Sequence, residues 1–130
     1  MRKPVIKLSV IKEETGYSAF AKVGNNFIAT QGESYNELKS NALEAVNLTF
    51  EENGFKYHAG EIAYELDLES FFNYYKVINT KALSEWVGIS ESNLAEYING
   101  KKKPTPNQKQ RIFKAIEKIG NELSQVRMLM

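Results

Sequence analysis

The stretch Thr80-Lys-Ala-Leu-Ser-Glu-Trp-Val-Gly-Ile-Ser-Glu-Ser-Asn-Leu-Ala-Glu-Tyr-Ile-Asn-Gly100 reads as two short helices crossed over a tight turn. Asn79 or Thr80 can cap the first helix, Lys81–Val87, and Gly88 supplies the left-handed residue that ends it. Ser90 caps the second helix, Glu91 to Ile98, with Asn93 at the capping-box position and Asn99-Gly100 as the stop. Apolar residues fall where such a crossing must pack: Leu83 before the turn, Ile89 just after it, Leu94 in the second helix, and Tyr97 or Ile98 at its end. Ser84 is the small residue expected where the helices touch. The rest of the second helix is free to face outwards.

Flanking signals extend this reading. Upstream, Asp67 can cap a helix through Tyr75. Downstream, Pro104-Thr-Pro106 breaks the chain, and Pro106 suits the first turn of a last helix carrying Ile112, Phe113, Ile116 and Ile119. Residues 68–123 together resemble the Cro/lambda-repressor-like helix-turn-helix domain, including the Asn-Gly after the second helix and the basic, proline-containing stretch beyond it. The resemblance implies an all-α domain over residues 67–124 that binds double-stranded DNA, followed by an apolar tail at 125–130.

In such a domain the first turn of the recognition helix enters the major groove, so Glu91, Ser92 and Asn93 are the candidates for base edges. Thr80, Lys81, Tyr97, Lys101, Lys102 and Lys103 are the candidates for the phosphate backbone. Glu91 stands where many members carry Gln. A carboxylate there can accept from cytosine N4 but repels phosphate, so the three lysines must supply much of the attraction. Asn93 can alternatively serve only as a cap, and Tyr97 only as packing.

Charge follows the same division. From Lys76 to Lys118 nine basic residues face four acidic ones, a net of +5, while the remainder is −4. A basic half joined to an acidic half points to two tasks, one of them next to an anionic polymer.

The amino-terminal half has the period of strands. Ile6, Leu8 and Val10 alternate with Lys7 and Ser9, and Glu13-Glu14-Thr15-Gly16 forms a turn. Tyr17–Val23 and Phe27–Thr30 follow as strands about a Gly24-Asn25-Asn26 turn. Ser34 with Glu37 predicts a capping box, Leu38, Ala42, Ala45 or Val46, and Thr49 recur at helical spacing, and Asn53-Gly54 ends the helix. Ile62, Tyr64 and Leu66 alternate as a fourth strand. The order βββαβ over residues 1–66 is an α+β arrangement near the lower size limit for independent stability, which favours self-association.

Three short segments here are similar to the HicB antitoxin family: Ile11-Lys-Glu-Glu-Thr-Gly-Tyr-Ser-Ala-Phe-Ala, Thr30-Gln-Gly-Glu-Ser-Tyr-Asn-Glu-Leu and Ala42-Leu-Glu-Ala-Val. Where members often carry a Pro-Asp-Leu-Pro-Gly-like stretch, Lys22-Val-Gly-Asn-Asn-Phe-Ile stands instead. The resemblance implies a cut-down ribonuclease H-like sheet, a small HicA-like ribonuclease toxin as partner, and the chain's own promoter as DNA target. An orphan dimeric repressor without a toxin is the rival reading.

A nuclease is disfavoured, because two-metal hydrolysis needs carboxylates converging on adjacent strands and Val5–Ile11 contains no acid. The absence of cysteine removes disulfides and thiolate metal sites, and the single His58 is expected in an exposed loop. No catalytic residue, metal or cofactor is expected. The opening apolar run is broken by Lys7, Ser9 and Lys12, so neither a membrane span nor a secretory signal is expected, and the chain reads as cytoplasmic. A single recognition helix reads only a few base pairs, so a homodimer or dimer of dimers is expected.

Overall fold

The computed structural model describes residues 2–129; Met130, at the end of the expected tail, lies outside them. The chain is α+β, a four-stranded mixed sheet followed by helices, and it divides into two compact units, Met1–Tyr74 and Tyr75–Met130.

In the first unit β1 (Ile6–Lys12), β2 (Tyr17–Val23), β3 (Asn26–Gly32) and β4 (Ile62–Leu66) form one sheet in the order β3-β2-β1-β4. The first three strands are the antiparallel meander their alternation implies. β4 pairs parallel with β1, Ile6 opposite Ile62 and Val10 opposite Leu66. A strand that returns in the same direction at the far edge needs a long crossover, and α1 (Tyr35–Thr49) supplies it.

Ile6, Leu8 and Val10 of β1, with Ala19 and Ile28, turn to one face and meet Leu38, Ala42 and Val46 of α1. Phe50 and Tyr57 close the end of this core, their ring centroids 5.7 Å apart. The entry to α1 explains the glycine in Thr30-Gln31-Gly32. A Cβ at Gly32 would run into the backbone of Leu38, so only glycine lets the helix begin so close to the strand. Ser34 Oγ accepts the Glu37 N–H at 3.1 Å, the first arm of the expected capping box.

The break between the units comes later than the expected boundary at residue 66. α2 (Leu68–Tyr74), assigned from sequence to the helix-turn-helix domain, clusters with the sheet. The reason is visible in its bonds. The Asp67 N–H donates to the Val10 carbonyl at 2.8 Å, which prolongs the β1–β4 ladder into the helix start. The Lys12 N–H donates to Ser70 Oγ at 3.0 Å, and the Lys12 ammonium sits 3.9 Å from the Tyr74 ring centroid.

The second unit holds α3 (Thr80–Val87), α4 (Glu91–Ile98) and α5 (Pro106–Gln125). α5 reaches into the segment expected as a tail, and a 3-10 turn, Val126–Leu129, follows it. Among the described residues no helix is long and apolar enough to cross a membrane.

Candidate nucleic-acid interface

The crossing of α3 and α4 is built as the offsets require. Leu83, Ile89, Leu94 and Tyr97 are buried, and Ser84 is buried with them, its hydroxyl donating to the Lys81 carbonyl at 2.6 Å. Of the two candidates at the end of α4, Tyr97 takes the core place and Ile98 is only half-buried. Gly88 adopts φ of +77°, the left-handed region in which a side chain is strained. Its N–H and that of Ile89 both return to the Ser84 carbonyl, at 2.9 and 3.1 Å. Backbone bonds thus close the turn.

A side chain fixes it further. The Arg111 guanidinium of α5 donates to the Val87 carbonyl at 2.6 Å and to that of Gly88 at 3.1 Å. These are the carbonyls left free where α3 ends, and a cation there also meets the negative end of the helix dipole. Sequence reasoning counted Arg111 only as charge. The 24-residue separation from Val87 offers no local signal for this contact.

The three helix starts are capped by side chains. Asn79 Oδ1 accepts the Ala82 N–H at 3.0 Å and Ser90 Oγ accepts the Asn93 N–H at 3.2 Å. At α5 the capping box is complete: Thr105 Oγ1 accepts the Gln108 N–H, and Gln108 Oε1 accepts the Thr105 N–H at 3.0 Å. The Thr105-Pro106-Asn107-Gln108 spacing carries this capping signal in the sequence.

The base-edge candidates lie together in the first turn of α4. Glu91 and Ser92 are exposed and Asn93 is half-buried. Ser90 caps this helix, and the Asn93 side-chain amide bonds no other group among the described residues. Its hydrogen-bonding capacity is unspent, so the purely capping role does not apply. Thr80 and Lys81 are exposed in the first turn of α3.

Tyr97 is not part of the exposed set. It is 9% exposed and its hydroxyl donates to Gln108 Oε1 at 2.8 Å, the same oxygen that completes the α5 capping box. An apolar place in the core and a bonded hydroxyl give this tyrosine the packing role, one of the two expected for it. The lysines divide as well. Lys102 lies 3.4 Å from Glu96, its charge partly offset, whereas Lys101 and Lys103 are exposed without an ion-pair partner among the described residues.

The second unit carries ten basic and five acidic residues, and the sheet unit seven and eleven, so the charge division of the sequence coincides with the structural one. Among the described residues no group of three or more His, Asp or Glu is placed to hold a metal ion. Chemically, the exposed first turn of α4 offers a carboxylate, a hydroxyl and a free carboxamide as hydrogen-bonding groups, and two unpaired lysines follow the same helix.

Comparisons with family models, with curated proteins and with solved structures return no match.

Proposed function

We propose that the chain is a DNA-binding regulator of the antitoxin type, whose second unit docks α4 in the major groove of double-stranded DNA and whose sheet unit engages protein. The observation that carries this reading is the exposed first turn of α4. Glu91, Ser92 and Asn93 point out of a helix whose other face is spent on packing, and the Asn93 amide is free to bond a base edge. Lys101 and Lys103 supply phosphate attraction that does not depend on sequence, and Thr80 and Lys81 add it from the start of α3. The geometry of the turn, with Gly88 left-handed and Ser84 at the crossing, is what a Cro/repressor-type domain requires.

The sheet unit with its HicB-like segments fits an antitoxin, with a small HicA-like ribonuclease toxin as partner and the chain's own promoter as operator. Fluorescence anisotropy of the full chain on duplexes tiling its own upstream region, against random duplexes, tests the DNA reading. A saturable preference that weakens with salt is expected. Equal, negligible binding to every duplex at low salt would reject it. Co-purification with the product of the adjacent gene tests the antitoxin reading separately.

A further inference from the structure

We propose that the free edge of β3 is a homodimer contact, in which two copies of the chain pair their β3 strands antiparallel about a two-fold axis at Ile28. Protein engagement by the sheet unit thereby acquires a definite surface and occupant.

The hairpin register shows which backbone groups are open. β2 and β3 are joined by the two-residue turn Gly24-Asn25, with Val23 paired to Asn26. In a two-residue hairpin that closing pair exchanges hydrogen bonds, and bonded pairs then alternate along the ladder. Phe27, Ala29 and Gln31 are therefore the residues that turn N–H and C=O away from β2. β3 is the last strand of the sheet, so these groups face its edge. Asn41 Nδ2 of α1 takes the Gln31 carbonyl at 2.8 Å, which agrees with this parity and closes that end. The open groups are those of Phe27 and Ala29.

Exposed edges are usually guarded by charge, proline or shortness. β4, the other edge, is only five residues long, contains Glu65, and is flanked by Glu61 and Asp67. β3 has seven residues, Asn-Phe-Ile-Ala-Thr-Gln-Gly, with no charge and no proline. Two β4 edges would bring the Lys3–Glu61 and Lys7–Glu65 ion pairs into the seam. Two β3 edges would not.

The side chains are complementary to their own reversal. On the open sheet face Phe20 pairs with Ala29 and stacks on Phe27, centroids 6.5 Å apart at 27°. An axis at Ile28 sets Phe27 of each copy opposite Ala29 of the other, beside that copy's Phe20. Ala29 leaves the gap that a phenyl ring fills. Phe27 is 68% exposed, and along this edge runs a shallow depression of about 570 Å³ lined by Phe20, Phe27, Ala29 and Asn41. Among the described residues the exposed large apolar ones of this unit are Val5, Phe20, Phe27, Leu48 and Tyr74, and Phe20 and Phe27 line this depression. A surface that fits itself about a two-fold axis selects a second copy over an unrelated strand.

The chain has no cysteine, which permits a register-specific test on the full-length protein. Phe27→Cys and Ala29→Cys chains, mixed and oxidised mildly, should cross-link to a dimer holding one of each. This should run several-fold faster than for either variant alone, because opposed residues of a bonded pair lie about 5.5 Å apart at Cα, within disulfide reach. In parallel, Ala29→Lys should halve the mass measured by light scattering and keep the far-UV spectrum of the native chain. A wild-type chain that is monomeric at micromolar concentration, a lysine variant that keeps its mass, or cysteine pairs with no preference for the mixture would each overturn the proposal. No DNA enters these measurements, so their failure leaves the DNA reading standing.

Discussion

Arg111 holds the Val87 carbonyl at 2.6 Å, and through that bond the last helix clamps the turn between α3 and α4. Gly88 lies directly under the same guanidinium, so that a Cβ added there would press on Arg111 Nη2. One glycine and one arginine thus share the duty of fixing the angle at which α4 is presented.

Arg111→Met should therefore cost about 1 kcal/mol, below the roughly 1.5–3 kcal/mol of a hydrogen bond from a charged donor, because the guanidinium is largely solvated. Gly88→Ala should cost more, roughly 1–3 kcal/mol, since it combines left-handed strain with the displacement of Arg111. Chemical denaturation of both variants checks the order. An arginine variant less stable than the glycine variant would contradict it.

Tyr97→Phe isolates the buried hydroxyl. It removes the bond to Gln108 Oε1 but leaves that oxygen its second partner, the Thr105 N–H. A loss of about 1 kcal/mol is expected, with the ratio of operator to random-DNA affinity unchanged. If the melting temperature holds while affinity for every duplex falls, the tyrosine is a phosphate ligand after all.

Arg111 and Tyr97 mark the limit of what local sequence shows. Leu83, Ser84, Ile89 and Leu94 were legible because a helix crossing imposes fixed local offsets, and the strands β1 to β4 were legible from their alternation. The role of Tyr97 was not, since one residue type suits both a buried anchor and a phosphate contact, and only its distance from Gln108 decides. The parallel pairing of β4 with β1 was likewise invisible: alternation gives a strand its faces but says nothing of its neighbour. The boundary was misplaced because Asp67 is a good helix cap wherever that helix packs, and α2 is tied to β1 through Ser70 and Lys12.

Acid sensitivity should arise in part at Glu61. The Lys3 ammonium, bonded to its carboxylate at 2.8 Å, and then the His58 N–H, also at 2.8 Å, hold Glu61 below the usual glutamate range. A carboxyl lowered by folding contributes stability above its unfolded value and loses it as pH falls through its folded value. Glu61→Gln should thus lower the melting temperature at neutral pH and converge with the native chain as pH drops below 4.5, the ordinary glutamate value. A gap independent of pH would show that the ion pair contributes nothing.

The separation of affinity from specificity is the sharpest test of the DNA surface. Lys101 and Lys103 are unpaired, while Lys102 is shared with Glu96 at 3.4 Å. Each phosphate contact releases counterions, so the logarithm of the binding constant falls with that of salt by about 0.9 per contact. Replacing all three lysines by alanine should weaken operator and random DNA alike and flatten the slope by about two units, the two unpaired lysines dominating. Asn93→Ala should behave oppositely. Ser90 already caps α4, and the Asn93 backbone N–H that it accepts survives the substitution, so the melting temperature should scarcely move. The operator-to-random ratio should drop by the roughly 1–3 kcal/mol that a good base contact supplies. A loss of stability without loss of preference would return Asn93 to a structural role. An unchanged salt slope in the lysine variant would place the DNA on another face of this unit.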